Sequence, residues 1–430
     1  MIKQHPADSD QVIRFSKDKI HVPVQPVIPY IEGDGCGPDL WQATRQVVDA
    51  AVALAYQGGR TFIWKEVYAG QKAFDLTGCW LPEETIQTFR KYHVGLKGPL
   101  NTPVGEGIRS LNVALRKELD LFTCLRPVKY YPGAPSPLRE PEQVDIVLFR
   151  ENTEDVYAGM EFDCGSPEAG KLLTFLNITF PEIHAKIRFP DSSALGIKPI
   201  SRDGSERIVR AAIDWALHNH RKTVTIIHKG NIMKFTEGGF MKWGYALAEK
   251  EFGGSVYTMR QWNRTALKSG EETANQELEK AKHTGKLIIK DMIVDAAFER
   301  AITHPLDMDV LVTTNLNGDY LSDALAALVG GLGIAPGANI NFNTGDAIFE
   351  AVHGTAPGLA GKNAANPCSL ILSAVLMLRY LGWNEAADLI ENGLQKTLAS
   401  RNVTADFFER MENATLQSTS DFANQIIQRM

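Results

Sequence analysis

The chain has 430 residues, more than one simple hydrophobic core usually holds, so we expect two or three domains. Hydrophobic side chains make up 44% of the residues and charged ones 22%, which is typical of a soluble globular protein. With 45 basic and 51 acidic residues the net charge is −6, and no long basic run is present. This argues against nucleic acid or an anionic membrane as a partner.

The cysteine content indicates a reducing compartment. The five cysteines are too widely spaced for a CxxC pair or a Cys/His cluster, which argues against a disulfide scaffold or a structural zinc site. The first residues mix acids and bases without an apolar core, unlike a signal peptide. The longest apolar stretch, near 370–378, is too short to span a bilayer. We therefore expect a cytoplasmic protein without a membrane partner.

Short apolar runs alternate with segments of helical spacing along the chain. The apolar runs predict buried strands at 27–31, 94–96, 146–149, 224–227 and 310–313. Helical spacing recurs at 40–55, 206–218, 239–251 and 369–381. This alternation predicts an α/β protein with a largely parallel sheet. Residues 160–200 have mixed character and could be an insertion that reaches a partner chain.

The glycines Gly33, Gly35 and Gly37 follow the first apolar run and look at first like a dinucleotide-binding loop. The spacing is wrong, because the third glycine of the GxGxxG fingerprint would fall on Pro38. A tight turn from strand to helix explains these glycines better.

Three arginines suggest an anion site. Ser110, Asn112 and Arg116 would gather at the start of one helix, where backbone amides favour anions. Arg126 and Arg150 could join them, and arginine pairs well with carboxylates. Arg150 ends an apolar strand, which is where α/β proteins place ligand sites. From the residues alone, three unrelated surface arginines are the simpler interpretation.

Tyr157 and Lys229 are suited to proton transfer. Tyr157 follows the strand that ends near Arg150, and Lys229 follows the apolar run 224–227. A tyrosine that donates a proton needs a nearby cation to lower its pKa, and Lys229 could supply that charge. A packed tyrosine and a solvated lysine are the simpler interpretation.

The segment NLNGDYLSD carries two carboxylates, Asp319 and Asp323, which would face one side of a helix. Like charges at this spacing destabilise a helix unless a cation lies between them. Oxygen ligands without His or Cys suit Mg²⁺ or Mn²⁺. Asp291 could add a third oxygen, or all three residues could simply cap helical turns.

A loop with the sequence EAVHGTAP follows the apolar stretch 347–349. The imidazole of His353 and the exposed backbone amides of this loop could hold an adenine or a phosphate. A lone histidine in a turn is more often packed or solvated.

From about residue 26 to the C-terminus, several segments resemble one family in the family's own order. They are IPYIEGDG, LKGPLNTPVGEGIRSLNVALR, RENTEDVYAG, HKGNIMKFTEG, NLNGDYLSDALAALVGGLGIAPGANI and HGTAP. The chain resembles the β-decarboxylating dehydrogenases (the isocitrate/isopropylmalate dehydrogenase family) and, within them, the bacterial isocitrate dehydrogenases.

The resemblance implies roles for individual residues. The substrate pocket would be formed by Ser110, Asn112, Arg116, Arg126 and Arg150. The catalytic residues would be Tyr157 and Lys229, and the metal ligands Asp291, Asp319 and Asp323. Lys229 and Asp291 would come from the second subunit. Cofactor contacts would fall on Thr102, His353, Gly354 and Asn366.

The resemblance also implies an α/β fold with a large domain, a small domain and a clasp that interlocks an obligate homodimer with shared active sites. The expected bounds are 1–121 and 331–430 for the large domain, 122–154 and 202–330 for the small domain, and 155–201 for the clasp. The cofactor would then bind without the glycine fingerprint.

The implied reaction is the metal-assisted oxidative decarboxylation of isocitrate to 2-oxoglutarate and CO₂, with reduction of a nicotinamide cofactor. The polar residues Ser110 and Asn112 favour a γ-carboxylate over the isopropyl group of isopropylmalate, the rival substrate in the family. A non-catalytic regulatory subunit is the rival from another class, but every catalytic and metal position is filled. In related bacterial enzymes a kinase phosphorylates the serine that matches Ser110, so a regulatory kinase is a candidate partner.

The chain departs from the family pattern at the cofactor. NADP-dependent relatives carry Lys-Tyr after HGTAP, and a Tyr and an Arg near the C-terminus; the matching residues here are Gly358, Leu359, Ala405 and Glu409. Since a 2′-phosphate needs cationic or hydroxyl partners, we expect a preference for NAD over NADP. NADP is the alternative, because Gly358 also lacks the acid usual in NAD-specific relatives and a one-residue shift could bring Arg410 to the phosphate.

Overall fold

A mixed sheet of 11 strands organises the protein, whose computed structural model describes residues 11–16, 19–101 and 110–430. The strands, numbered along the chain, are β1 Arg14–Ser16, β2 Lys19–His21, β3 Val27–Ile31, β4 Ile63–Glu66, β5 Val94–Lys97, β6 Thr123–Lys129, β7 Asp145–Glu151, β8 Met160–Phe162, β9 Leu195–Ile197, β10 Thr223–His228, β11 Val256–Thr258, β12 Leu287–Ile293, β13 Val310–Thr313, β14 Pro336–Ile340, β15 Ala347–Ala351, β16 Asn402–Val403 and β17 Thr415–Leu416.

Helices cover the sheet. They are α1 Gly37–Tyr56, α2 Gln71–Thr77, α3 Glu83–Tyr92, α4 Leu111–Glu118, α5 Pro167–Thr179, α6 Pro181–His184, α7 Arg202–His218, α8 Glu237–Phe252, α9 Met259–Ser269, α10 Glu271–His283, α11 Val294–Thr303, α12 Asn315–Leu328, α13 Cys368–Tyr380, α14 Asn384–Ala399, α15 Ala405–Phe408 and α16 Thr419–Gln428. Short 3-10 helices lie at Pro141–Gln143, Asp155–Ala158, Pro190–Ser192, Pro305–Asp307, Leu332–Ile334 and Pro357–Leu359.

The sheet has two parallel halves joined by antiparallel strands. Its order is β11-β12-β10-β13-β7-β6-β14-β15-β5-β3-β4. Neighbours pair in parallel from β11 to β7 and from β15 to β4. The pairs β7–β6, β6–β14 and β14–β15 are antiparallel. One half is built from residues 123–313, while the other takes strands from both sides of that segment.

The predicted α/β fold class is confirmed. All five apolar runs are strands of the large sheet. Three segments of helical spacing lie within α1, α7 and α8, and the fourth matches α13 except for its last residue. Apolar residues recur every three or four positions in α1, so that one face of the helix is buried, packed against α13, α14 and α16 and, through Trp41, on Tyr30 of β3. Helix α13 is buried nearly all round, which explains its long apolar run as core. Within the described residues, no helix combines the length and apolarity needed to cross a bilayer.

The glycine turn after β3 is the predicted turn from strand to helix. Gly33 and Gly35 have φ of 91° and 61°, in the left-handed region that favours glycine. A Cβ on Gly35 would lie 2.1 Å from the backbone oxygen of Thr355, so the turn also brings the chain close to the HGTAP loop. Helix α1 then begins with a proline in its first turn.

Candidate active site

The three candidate substrate arginines come from neighbouring elements. Arg126 lies on β6 and Arg150 on β7, two antiparallel neighbours in which Cys124 pairs with Arg150. Because side chains two residues apart on a strand share a face, Arg126 and Arg150 project from the same side of the sheet. Arg116 lies on α4, which begins directly after Ser110. The structure therefore brings the three arginines together. The interpretation as an anion site requires this, and the interpretation as unrelated surface arginines does not.

The buried arginines have specific partners. Arg150 is 2% exposed; its Nη1 binds Asp319, and its Nε donates to Asn315 Oδ1 at 2.9 Å. Arg126 Nε donates to Cys124 Sγ at 3.2 Å, and its Nη1 lies 3.8 Å from Asp323 Oδ1. Burial lowers the pKa of Arg150, and the nearby cations act in the same direction. Such a site favours an added anion.

Two polar atoms in this cluster are buried without a hydrogen-bond partner. They are Asn112 Oδ1 and Arg116 Nε. Arg116 Nη2 donates to Glu350 Oε1 at 2.8 Å, so this arginine is held in place while its Nε–H is free to bind a ligand. Ser110 occupies the N-cap position of α4, but its side chain makes no capping hydrogen bond. Its hydroxyl is thus not committed to the helix.

Tyr157 lies beside this cluster. Its hydroxyl donates to Asp319, and the Arg150 guanidinium lies 5.0 Å from the centre of its ring. Burial and the hydrogen bond to Asp319 raise the pKa of Tyr157 to about 12, although Arg150 acts against them. Within one chain, Lys229 binds Asp295 instead of Tyr157. The predicted Tyr157–Lys229 pairing is therefore not formed within one subunit.

Asp319 and Asp323 both lie on α12, so the prediction that they share a helix is confirmed. Burial raises the pKa of Asp323, and the charge of Asp319 adds to that effect despite Arg126. The pKa of Asp319 is lowered, because Arg150 and the Tyr157 hydrogen bond outweigh burial. The two oxygen-donor side chains repel each other, and a divalent cation would relieve that repulsion. This donor set fits Mg²⁺ or Mn²⁺.

Asp291 and Asp295 lie in different environments. Asp291, on β12, accepts hydrogen bonds from His228 Nε2 at 3.0 Å and from the Tyr245 hydroxyl at 2.5 Å. Asp295, in the first turn of α11, binds Lys229. The sequence analysis named Asp291 and did not consider Asp295, whose position just beyond a strand end is also typical of a site residue. In the described part of the chain, no group of three or more His, Cys, Asp or Glu side chains is placed to hold a metal.

A cavity of about 410 Å³ gathers most of the candidate cofactor residues. Its lining includes His353, Gly354, Leu359, Asn366 and Ala405. Gly358 is exposed in the adjacent 3-10 helix, and Thr102 lies outside the described residues. His353 Nε2 is buried there without a partner, and burial lowers the pKa of the ring, which favours the neutral imidazole. These features fit the adenosine part of a dinucleotide.

Known proteins with similar sequences are named as isocitrate dehydrogenases. The chain is 57% identical over 422 residues to "Isocitrate dehydrogenase [NADP]" of Staphylococcus epidermidis, which covers 98% of this chain and 100% of the relative. It is 49% identical over 438 residues to "Isocitrate dehydrogenase [NADP]" of Helicobacter pylori, covering 100% of this chain and 99% of the relative.

The predicted preference for NAD is contradicted by these NADP-dependent relatives. Leu359 and Ala405 do form an uncharged part of the cavity wall. However, Lys362 and Arg410 follow them closely in sequence, are exposed, and form no ion pair within the described residues. Arg410 Nη1 donates to the backbone oxygen of Gly330 at 2.8 Å, which leaves the rest of the guanidinium for a ligand. A phosphate at the edge of a cavity can be bound by any cation that reaches it. The prediction of NAD was therefore wrong because it considered only four positions and not the cations beside them. The four positions are Gly358, Leu359, Ala405 and Glu409.

Two further comparisons concern the whole fold. The sequence model described as "Isocitrate/isopropylmalate dehydrogenase" matches residues 27–426. The crystal structure of isocitrate dehydrogenase from Methylococcus capsulatus superimposes with a TM-score of 0.74 at 34% identity, covering 94% of this chain and 98% of that chain. The chain belongs to the isocitrate/isopropylmalate dehydrogenase family.

Proposed function

We propose that this protein is an NADP-dependent isocitrate dehydrogenase, which converts isocitrate to 2-oxoglutarate and CO₂. The observation that carries the proposal is the buried arginine cluster beside Asp319 and Asp323, with an unpartnered donor at Arg116 Nε and a Ser110 hydroxyl that makes no capping hydrogen bond. Relatives at 49–57% identity that are named for this activity support it.

Isocitrate suits the charges of this site. It has three carboxylates, and Arg116, Arg126 and Arg150 offer bidentate partners to such groups. Arg116 Nε has no partner in the protein, so a carboxylate would satisfy a buried donor. The Ser110 hydroxyl and the side-chain N–H of Asn112, at the start of α4, would donate to the γ-carboxylate. Together they hold the substrate in one orientation.

We propose that Asp319 and Asp323 hold Mg²⁺ or Mn²⁺ together with a carboxylate of a second subunit. When bound, the cation would polarise the C2 oxygen of the substrate and stabilise negative charge on it. For the third ligand, Asp295 is better suited than the predicted Asp291. The Asp295 side chain is 67% exposed, against 36% for Asp291, and both oxygens of Asp291 already accept hydrogen bonds.

Two side chains would transfer protons. Lys229 of a second subunit would take the proton of the C2 hydroxyl, directly or through a water. Tyr157 would deliver a proton to C3 after CO₂ leaves. Its raised pKa of about 12 makes Tyr157 a weak acid within one subunit. The ammonium that Lys229 forms when it takes the C2 hydroxyl proton would lower that pKa again.

NADP would bind in the cavity beside the HGTAP loop. His353 Nε2 is a buried, unpartnered group that adenine can satisfy. Gly354 leaves room for the cofactor, because a Cβ added there would meet no atom within 4 Å. Asn366 is held by Asp406 and by the backbone of Cys368, which keeps that wall in place. We propose that Lys362 or Arg410 binds the 2′-phosphate.

We propose a homodimer with shared active sites. In the described residues, segment 155–201 exposes many large apolar side chains, namely Val156, Met160, Phe175, Ile178, Phe180, Ile183, Phe189 and Ile197. Ile232 and Phe235, just after Lys229, are 69% and 91% exposed. Apolar surface of this extent favours burial by a partner. The order of strands in the sheet supports the proposed domain bounds. Strands within 123–313 form one half of the sheet, as proposed for the small domain, and strands before and after this segment form the other half.

The test is a turnover assay on the purified protein with isocitrate or isopropylmalate, each with NADP or NAD, in the presence of Mg²⁺ or Mn²⁺. We expect isocitrate with NADP to give the highest catalytic efficiency, and light scattering to give the mass of a dimer. Turnover of isopropylmalate alone, or of neither acid, would refute the proposed activity. A monomer that turns over isocitrate at full rate would refute the shared site.

A further inference from the structure

The turn that carries Lys229 is held by a chain of hydrogen bonds that the proposed reaction does not use. Strand β10 ends at His228, and Lys229 and Gly230 follow it. Strand β12 lies beside β10 in parallel, with Asp291 opposite Ile226 and Ile293 opposite His228. Since Ile226 and His228 share a face of the sheet, the His228 ring can reach the Asp291 carboxylate.

The tautomer of His228 follows from its two partners. The backbone amide of Gly230 donates to His228 Nδ1 at 2.9 Å, so this nitrogen carries a lone pair. The ring proton therefore lies on Nε2, which donates to Asp291 Oδ2 at 3.0 Å. The His228 side chain is only 6% exposed, so solvent offers no ready substitute for either bond.

Asp291 is itself fixed from the other side. The hydroxyl of Tyr245, on α8, donates to Asp291 Oδ1 at 2.5 Å. Burial raises the pKa of Asp291, but the hydrogen bonds from His228 and Tyr245 outweigh it, so the pKa is lowered and the carboxylate is ionised. Each oxygen of the Asp291 carboxylate thus accepts one hydrogen bond, and the two bonds together fix the orientation of the carboxylate.

The backbone around Lys229 is held at adjacent points. The Gly230 amide binds the His228 ring, and the Lys229 amide donates to Glu237 Oε2 at 3.0 Å. A Cβ on Gly230 would lie 2.8 Å from the Cα of Gly238, so the turn also packs closely on the start of α8. These contacts determine where the Lys229 side chain leaves the backbone.

We infer that Asp291 is a positioning residue, which fixes the tautomer of His228 and through it the turn that presents Lys229, and that it does not bind the metal. Without the carboxylate, the proton of His228 can move to Nδ1, where it would face the Gly230 amide and push the turn away. A carboxylate that orients a histidine in this manner is a general device in proteins. The inference rests on the proposed function of Lys229.

The experiment compares Asp291→Asn with Asp295→Asn in the full-length protein. For Asp291→Asn we expect Mn²⁺ affinity, measured by electron paramagnetic resonance with Mn²⁺ alone, to stay within about twofold of wild type. The kcat for isocitrate should fall about 10- to 100-fold while KM changes little, as for other residues that orient a functional group. For Asp295→Asn we expect at least about a tenfold loss of Mn²⁺ affinity.

Nuclear magnetic resonance gives a readout that does not depend on turnover. In protein with ¹⁵N-labelled histidine, His228 should show the Nε2–H tautomer, and its signals are assigned by their loss in His228→Gln. Asp291→Asn should convert this state to a mixture of tautomers. His228→Gln should lower kcat as Asp291→Asn does, and the double variant should be no worse than the poorer single one. Tyr245→Phe, which leaves the Asp291–His228 bond, should have a smaller effect.

Two results overturn the inference: a loss of Mn²⁺ affinity in Asp291→Asn as large as in Asp295→Asn, or an unchanged kcat with an unchanged tautomer. If the wild-type protein does not turn over isocitrate, the proposed function fails, while the Mn²⁺ and tautomer measurements still decide the role of Asp291. If Asp291→Asn does not fold, Tyr245→Phe and His228→Gln take its place, and normal kcat in both overturns the inference.

Discussion

Glu350 accepts a hydrogen bond from Arg116 at 2.8 Å, and this pair joins a strand of one half of the sheet to the helix that begins after Ser110. Lys97 Nζ lies 2.7 Å from the other carboxylate oxygen of Glu350. Burial raises the pKa of Glu350, but Lys97 and Arg116 outweigh it and hold that pKa well below its ordinary value of 4.5. A candidate substrate arginine is therefore anchored by a buried carboxylate.

The first prediction concerns stability. Glu350→Gln leaves two cations without a buried partner, so the free energy of unfolding at pH 7 should fall by about 3 kcal/mol or more. Because the folded pKa is depressed, this stabilisation is present above pH 4.5 and is lost as the pH falls below it. The difference between variant and wild type in denaturant unfolding, at one protein concentration, should shrink over that range.

Glu279→Gln is the matched control, since Glu279 pairs with Lys282 at the surface. It should leave the unfolding midpoint unchanged. An equal, pH-independent loss in both variants would contradict the role given to the Glu350 pairs.

The second prediction is that Asp319→Asn abolishes isocitrate turnover while the protein still forms its dimer. The change removes one carboxylate from the proposed cation site and replaces one of the two oxygens that accept from Arg150 and Tyr157 by an amide nitrogen. Turnover and size-exclusion chromatography with light scattering check the two parts. A chelator should stop the native enzyme, and added Mg²⁺ should restore it. Full activity in the chelator would rule out the metal role.

The third prediction is that Ser110→Asp nearly stops isocitrate binding without harming the fold. Aspartate is a good N-cap, so α4 should be as stable as before. Its charge, however, would face the γ-carboxylate of the substrate. Calorimetry with isocitrate should show lost binding for Ser110→Asp and much weaker loss for Ser110→Ala. Normal binding by Ser110→Asp would place the pocket elsewhere. Phosphorylation of Ser110 by a kinase, which would have the same effect, stays a prediction.

The fourth prediction concerns the 2′-phosphate. The catalytic efficiency with NADP should exceed that with NAD, and Arg410→Met or Lys362→Met should lower the NADP value by about tenfold or more, since a charged hydrogen bond is lost. The NAD value should change little. Binding of adenosine 2′,5′-bisphosphate, measured by calorimetry, should fall in parallel.

Arg401→Met is the control for this cofactor test, because Arg401 lines a different cavity from the one proposed for NADP, where its guanidinium donates to the backbone oxygen of Glu412. It should affect neither cofactor. If neither Arg410→Met nor Lys362→Met lowers NADP binding, the phosphate has other partners.

The sequence alone determined those features that depend on local spacing. Apolar runs located the strands of the sheet, and a spacing of four residues placed Asp319 and Asp323 on one face of α12. The position of Arg150 at a strand end pointed to a ligand site. The strand and helix predictions succeeded because the periods of strands and helices are written into neighbouring residues, whereas the ligand site at Arg150 stays a prediction.

The tertiary structure decided which distant residues meet. Arg116 and Glu350 are 234 positions apart, and no local pattern marks them as partners. Asp291 and Asp295 look alike in sequence, but one lies against His228 and Tyr245 while the other lies against Lys229. Strand order and helix packing set these contacts, and both depend on burial of the whole core, so residues far apart in the chain come together only when it folds.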